Sequence, residues 1–453
     1  MIKPNGDKLK ILILSDDPKL FSGVGTVTNR ISKAFRREDW EVVHLASAVQ
    51  HPDPNPYVDE FGRKIIPYNG YGDINVIRQI LDQEKPDVMW IMTDPRYWVW
   101  LWSFSSEFRV NLPLMFYHVW DAPPIPKYNY DYYNSCDSIL CISKLSYNIV
   151  KQCKKETDGK FNVVDSPHGI DVDVFKIVSE DEKFQDVAKT IQWKETGEKE
   201  EEPEEINLEV LRQRFRDAIK PIYKDADKVK FIVFWHNKNM RRKNAPMMME
   251  AFHDFAQGKD DVMLIMHTEV ATEHGTQLEE VRTSLFPDSP ILLFPEKVPE
   301  VELVKFFNLS ACTVNIASAE GFGLASAESL ACGTPIINAM HGGLQDQMYL
   351  DNDEDKPCGI PIEPASNNLV GSIPTPYLYD HHSAVPDVTK ALEEMYRAFN
   401  NRENGIYDKW SKNSRDNAVK NFNTVTMEQQ HVDEVKRLVK EFQPIPAWEI
   451  TEV

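Results

Sequence analysis

The sequence predicts an α/β protein made of two Rossmann-like domains in succession. Three observations predict it. Short, uninterrupted apolar runs alternate with amphipathic stretches, first over residues 10–142 and again over 231–338. A charged, helix-prone stretch at about 177–228 separates the two series. The chain has 453 residues, too many for one ordinary core and comfortable for two. Uninterrupted apolar strands between helices signal a parallel sheet covered on both faces.

The elements follow in order. Lys10–Ser15 reads as the first buried strand and Ser22-Gly23-Val24-Gly25 as a glycine loop. Thr26–Arg36 reads as a helix, because Val27, Ile31 and Phe35 recur at four-residue spacing. Glu41–Leu45 is the second strand and Val76–Gln83 a helix; Asp87–Met92, Leu114–Tyr117 and Ser138–Ile142 are further strands. The run Lys194–Glu205 reads as a solvated insertion. The second series has strands at Phe231–Phe234, Met263–Met266, Ile291–Phe294, Thr313–Ile316 and Pro335–Asn338. Its helices are Met247–Phe255, Glu300–Leu309 and Leu324–Ala331. Glu363–Pro386 reads as a long loop. Thr426–Phe442, with Met427, Val432, Val435, Leu438 and Val439 apolar, reads as a closing helix. The expected organisation is a first domain at 1–176, an insertion or linker at 177–228, a second domain at 229–410, and terminal helices at 411–453 crossing back to the first domain.

Composition narrows the function. Apolar residues make up 42% and charged residues 27%, a globular balance. A formal net charge of -20 argues against general affinity for nucleic acid, which rests on neutralising phosphates. The longest apolar stretch, Val88 to Phe104, is interrupted by Asp94 and Arg96, so no membrane span is expected. The chain begins MIKPNGDKLK, without an apolar targeting region, and its six cysteines show no zinc or redox spacing. Buried free thiols and a cytoplasmic location are expected. Much of the aromatic stretch Trp90, Tyr97, Trp98, Trp100, Trp102 and Phe104 is expected in the core.

The segment Ala319–Pro335 (AEGFGLASAESLACGTP) carries the strongest chemical signal. Gly321 and Gly323 flank Phe322 where a helix should open, so backbone can approach a ligand closely. Free amides and the positive end of the helix dipole then face an anion. A carboxylate beside such a site repels the anion unless it binds neutral hydroxyls, as Glu320 and Glu328, seven residues apart, could do. The arrangement suits a ligand with both a diphosphate and sugars.

This segment resembles the signature of the family-4 retaining glycosyltransferases, including its following Cys-Gly-Thr-Pro. The resemblance implies a GT-B fold, two Rossmann-like domains with parallel sheets facing across a cleft and a C-terminal helix closing the structure. It implies that Glu320 contacts the transferred sugar and Glu328 the nucleotide ribose. The amides of Gly321, Phe322, Gly323 and Leu324 would meet the phosphates. Asn237–Asn244 (NKNMRRKN) resembles the family's basic phosphate loop, with Lys243 on its lysine. Lys238 stands where the family usually has arginine, which removes bidentate binding, and Arg242 could compensate. His341-Gly342-Gly343-Leu344 is similar to the family's Gly-Gly loop, with Asp346 where a glutamate is common. In the first half, Gly23 and Gly25 match a glycine loop assigned to the donor, and His118 matches a histidine close to the transferred sugar, with Asp121 a weaker neighbour. Asp137, Ser143 and the His168–Asp171 segment (HGID) fit the family's linker-side pattern and read as architecture.

Asp171-Val172-Asp173 and Asp351-Asn352-Asp353 have the spacing of metal-dependent glycosyltransferases, but Asp-rich turns are commonplace. No essential metal and no cofactor are expected, with Glu320, Lys243 and His118 as the catalytic residues. The donor is expected to be a UDP- or GDP-linked sugar. The acceptor is a hydroxyl, on a glycan or small molecule in preference to DNA. The short, insertion-bearing form also looks similar to phage and large-virus glycosyltransferases, for which host cytoplasm would follow. Alternatives are transfer to hydroxymethylated DNA bases, an epimerase or hydrolase on the same scaffold, and a non-catalytic sugar-nucleotide binder.

Overall fold

A computed structural model describes residues 8–20, 22–179, 184–185, 205–373 and 375–444. The run expected to be a solvated insertion, Lys194–Glu205, lies outside the described residues except for Glu205. The chain divides into two compact units. One comprises Met1–Gly169, Leu369–Tyr379 and Thr424–Val453; the other comprises Ile170–Asn368 and Asp380–Asn423.

The first unit is built on eight strands: β1 (Lys10–Asp16), β2 (Glu41–Ser47), β3 (Tyr57–Val58), β4 (Lys64–Pro67), β5 (Val88–Thr93), β6 (Leu114–His118), β7 (Ser138–Cys141) and β8 (Asn162–Asp165). They lie in the order β3-β4-β2-β1-β5-β6-β7-β8. All neighbours are parallel except β3 and β4. β5 (VMWIMT) is buried at every position, as expected for a strand covered on both faces. The helix Thr424–Glu441 packs here through Met427, Val432, Val435 and Leu438. Its His431 accepts the indole N–H of Trp90 at 3.0 Å. Ser143 opens the helix Lys144–Thr157 with a capping box, and Asp137 holds Arg109, so both are architectural.

The second unit begins with a short antiparallel pair, β9 (Phe184–Gln185) and β10 (Glu205–Ile206). Its sheet is formed by β11 (Phe231–His236), β12 (Val262–His267), β13 (Ile291–Phe294), β14 (Cys312–Asn315), β15 (Ile336–Ala339) and β16 (Gly359–Ile362). The order is β13-β12-β11-β14-β15-β16, parallel throughout. This is the doubly wound order of a Rossmann sheet, reversing direction between β11 and β14.

Two readings of the sequence need correction. The first helix spans Gly23–Arg37, so both glycines lie in its first turn and not in a loop. Ser22 caps it by accepting the Gly25 amide at 3.0 Å. The stretch 363–386 is not a structureless loop: it holds a hairpin, β17 (Ser366–Ser372) and β18 (Thr375–His382). β17 is exposed at every residue, so it carries no alternating apolar pattern to announce it. Within the first unit, the Tyr128 hydroxyl donates to the Tyr377 carbonyl at 2.8 Å and the Tyr379 amide to the Pro123 carbonyl at 2.7 Å. In the stretch read as charged insertion, Leu208–Ile219 is a regular helix capped by Asn207. In the aromatic stretch, Trp90, Trp98 and Trp102 are core, whereas Tyr97 and Phe104 are exposed.

Several imidazoles are buried in the neutral state. Burial holds His44, His118, His236 and His431 down to about 3, aided by Arg63 at His44, His267 at His236 and His168 at His431. Between that value and the ordinary 6.5, the unfolded chain binds protons that the folded chain refuses. Each group therefore contributes stability that is complete above 6.5 and falls on acidification by on the order of 1.4 kcal/mol per pH unit. Urea unfolding at pH 7.5 and pH 5.5, at constant ionic strength, should show a marked loss at the lower pH. Equal stability at the two values would contradict the neutral, buried assignment.

Candidate active site

The carboxyl ends of β11 and β14 mark the crevice where open α/β sheets bind ligands. The loop after β11 is anchored by Asn239, fully buried, which donates to the carbonyls of Glu269 at 3.0 Å and Thr276 at 2.7 Å. The chain then makes a single 3-10 turn, Arg241–Lys243, and Asn244 takes the left-handed conformation at φ 57°. The Asn244 side chain donates to the Ile316 carbonyl at 2.8 Å, and the Ser318 amide to the Arg242 carbonyl at 2.6 Å. Two segments distant in sequence are thereby stitched edge to edge.

That stitching brings Glu320 and Lys243 together. The Lys243 ammonium donates to the Glu320 carboxylate, with side chains 9% and 12% exposed. Arg242 lies 3.9 Å from the same carboxylate and donates to the Ala319 carbonyl. Burial works against charge on Glu320, but Lys243 and Arg242 outweigh it and hold the carboxyl below its ordinary range. It is anionic at neutral pH.

The glycine turn follows directly. Gly323, at φ 92°, precedes the helix Leu324–Ala331 and leaves its amino end without a side-chain cap, the arrangement that accepts an anion. Buried Gln347 fixes the turn from behind, donating to the carbonyls of Phe322 at 2.6 Å and Gly323 at 3.2 Å. The Gly343 amide donates to the Glu320 carbonyl at 2.9 Å. A Cβ at Gly343 would lie 2.2 Å from the Gly321 carbonyl oxygen, so this approach requires glycine. Glu328 is buried on the same helix.

The remaining expected residues are placed differently. Lys238 is exposed and lines a cavity of about 240 Å³ with Met240, Glu269, Thr272, Glu273 and His274. His118, Gly23 and Gly25 belong to the first unit. His118 is fully buried at the end of β6, its Nε2 3.0 Å from the Tyr133 hydroxyl, among the rings of Phe116, Trp120 and Tyr133. Both Asp-x-Asp segments spend carboxylates locally. Asp171 accepts the amides of Asp173 and Val174, while Asp351 pairs with Lys420 and Asp353 with Lys356. Among the described residues no group of three or more His, Cys, Asp and Glu side chains is arranged to hold a metal ion.

Sequence reasoning passed over three buried groups around the glycine turn. Asn315 Nδ2, Gln347 Oε1 and His341 Nδ1 have no protein partner. Asn315 Nδ2 lies 3.5 Å from where a Gly323 Cβ would stand. The one signal in the sequence was the position of His341 immediately before the Gly-Gly pair; nothing marked Asn315 or Gln347.

Residues 215–366 match the family of Glycosyl transferases group 1, a stretch containing every second-unit residue named in this site. The chain carries a group 1 glycosyl transferase domain. D-inositol 3-phosphate glycosyltransferase from Acidothermus cellulolyticus is 40% identical over 53 residues, 12% of either chain. The enzyme of that name from Thermobifida fusca is 46% identical over 46 residues, 10% of this chain and 11% of the relative. These matches span only about an eighth of the relatives' length. Whole-chain likeness is structural. A glycosyltransferase from Rickettsia africae superposes with a TM-score of 0.65 at 15% identity, over 96% of this chain and 99% of that one. Sucrose-phosphate synthase from Thermosynechococcus elongatus gives 0.65 at 12%, over 96% and 100%. Anabaena HepE, crystallised with UDP-glucose, gives 0.62 at 14%, over 95% and 100%. The fold of the group 1 domain protein is therefore GT-B, as the sequence implied. Among the described residues no helix is long and apolar enough to cross a membrane.

The Glu320–Lys243 pairing makes a measurable claim. In a Lys243→Met variant, burial would act on Glu320 with only the more distant Arg242 opposing it. The Glu320 carboxyl should then titrate above the ordinary ~4.3 of a glutamate. A carbon-13 NMR titration of the labelled side chain reads this directly; an unchanged, low value would show that Lys243 does not hold the charge.

Proposed function

We propose that this protein is a retaining glycosyltransferase that moves a sugar from a UDP- or GDP-linked donor to a hydroxyl acceptor. The observation that carries the reading is the buried Glu320–Lys243 pair set against an uncapped helix start at the reversal point of the second sheet. A diphosphate needs cations and free amides, which Lys243, Arg242 and the start of helix Leu324–Ala331 supply. A sugar needs a carboxylate to accept its hydroxyl protons, which Glu320 supplies. Glu328, buried one turn further along, suits the two hydroxyls of a ribose. HepE, solved with UDP-glucose, supports the donor class.

The chemistry asks for stabilisation of the departing diphosphate as the bond to the anomeric carbon breaks. Fixed cations and amides in a water-poor site do this without reorganising. Attack comes from the face the phosphate leaves, and the leaving phosphate takes the acceptor's proton, so configuration is retained. His118, neutral and enclosed, is not a proton carrier. Lys238 is a secondary contact to the donor. The basic residues and helix start fill the role a metal has elsewhere, so none is required. The acceptor is a glycan or small hydroxylated molecule, and the protein acts in the cytoplasm.

Glu320→Ala should abolish transfer with the fold intact, and Glu328→Ala should mainly raise the donor KM. Lys243→Ala should lose about 2–4 kcal/mol of transition-state stabilisation, as expected for one preorganised donor. Wild-type rates in the two glutamate variants would overturn the site. Activity should persist in excess EDTA, and NMR of the product should show the donor's anomeric configuration. A strict divalent-ion requirement or inversion would overturn the mechanism.

For the acceptor, radiolabelled sugar should reach members of a glycan panel and not duplex DNA containing hydroxymethylated pyrimidines. The chain has 71 acidic against 51 basic residues, a poor balance for gathering phosphates. Efficient, salt-sensitive labelling of the DNA alone would reverse the acceptor assignment and leave the donor site standing.

A further inference from the structure

His341 follows β15 and is 3% exposed. Its ring lies on that of His381, centroids 4.7 Å apart and planes 16° from parallel, so it cannot swing freely. Its Nε2 is hydrogen-bonded to the Ala317 carbonyl. A carbonyl can only accept, so Nε2 carries the proton. In the neutral ring the other nitrogen, Nδ1, is then a bare acceptor. Burial, His381 and Lys243 keep the ring neutral, holding it down to about 4 against the pull of Glu320.

That bare Nδ1 is buried and has no protein partner. A buried acceptor of this kind is costly to leave without a partner. The location says what completes it. Ala317, which fixes the tautomer, is three residues before Glu320. Gly343, two residues after His341, donates its amide to the Glu320 carbonyl. Both sides of the histidine are therefore tied to the segment bearing the site's carboxylate. A phosphate offers no proton at neutral pH and would be repelled by a lone pair. A hydroxyl offers one. On the reading of the Glu320 site as a sugar-nucleotide site, we infer that His341 is a specificity-determining residue whose Nδ1 accepts a hydrogen bond from a hydroxyl of the donor's sugar. It discriminates the sugar-bearing nucleotide from the nucleotide alone.

The test is calorimetric binding of UDP, UDP-glucose, GDP and GDP-mannose to the full chain and to two variants. His341→Phe keeps a ring against His381 but has no acceptor. His341→Asn places an amide oxygen near the Nδ1 position. Wild type should bind at least one sugar nucleotide more tightly than its free diphosphate. His341→Phe should lose about tenfold for that sugar nucleotide and change less than twofold for the diphosphate, as expected for one hydrogen bond to a neutral partner. His341→Asn should recover part of the loss. Nitrogen-15 NMR of the wild-type ring gives a check independent of folding in the variants. Nδ1 should shift upfield when the sugar nucleotide is added and stay in place with the diphosphate. Unchanged sugar-nucleotide affinity in His341→Phe, or an unmoved Nδ1, would overturn the inference and leave the donor site intact. Failure of the wild type to bind any of the four would overturn the donor-site reading itself, and this inference with it.

Discussion

Neither the carboxylate of Glu320 nor the ammonium of Lys243 could be buried alone. An isolated charge in such a place would cost several kcal/mol or lose its ionisation. Each is tolerable because the other is in contact, and the contact exists because β11 and β14 are neighbours in the sheet. Strand order is thus the first constraint. It sets two loops, 77 residues apart in sequence, side by side at the point where the sheet reverses. Four further contacts keep those loops in register: the Asn244 side-chain and Arg242 backbone stitches, Gln347 behind the glycine turn, and Gly343 closing on Gly321.

Much of this was legible in the sequence, for identifiable reasons. β1, β5, β11 and β12 are each built on an unbroken apolar run (ILIL, VMWIM, FIVFW and VMLIM), as a strand covered on both faces demands. Gly321, Gly323, Glu320 and Glu328 lie within one short segment, so their association needed no knowledge of the fold. The closing helix showed its apolar stripe, and its bounds of Thr424–Glu441 differ little from those expected. β17 was not legible, because an exposed strand stabilised by its partner and by local docking has no apolar period. The true start of the first helix was hidden by its glycines, which ordinarily argue for a loop. There the Ser22 cap outweighs the propensity.

The site's polar groups show a different limit. Asn315, His341 and Gln347 come from a strand, a strand end and a 3-10 turn, and no local pattern joins them. Only folding shows that each is buried and that each leaves one polar atom without a partner. Buried polar atoms of this kind call for a partner, and these three lie around one glycine turn. His118 illustrates the converse. Its sequence position implied a reacting group, yet the fold encloses it among aromatic rings and keeps it neutral. A hydrogen bond is within its means; carrying a proton near neutral pH is not.

The pairing of Glu320 with Lys243 bears on how a sugar nucleotide would enter. A ligand with only a phosphate must draw Lys243 away and leave the carboxylate buried beside new negative charge. A ligand with only hydroxyls satisfies Glu320 but gives Lys243 nothing to compensate for its partner. A sugar diphosphate supplies both at once: hydroxyl donors for the carboxylate and an anion for the ammonium. On the proposed reading the ion pair is therefore a selective feature as well as a structural one, because separating it is favourable only for a molecule that carries both kinds of group. The same reasoning explains how a chain of net charge -20 can hold a polyanion. The surface field falls away over roughly a Debye length of about 8–10 Å in salt. Inside the crevice the positive charges at hand are Arg242, Lys243 and the uncapped helix start, and at contact distance these act on an anion more strongly than the distant surface charge.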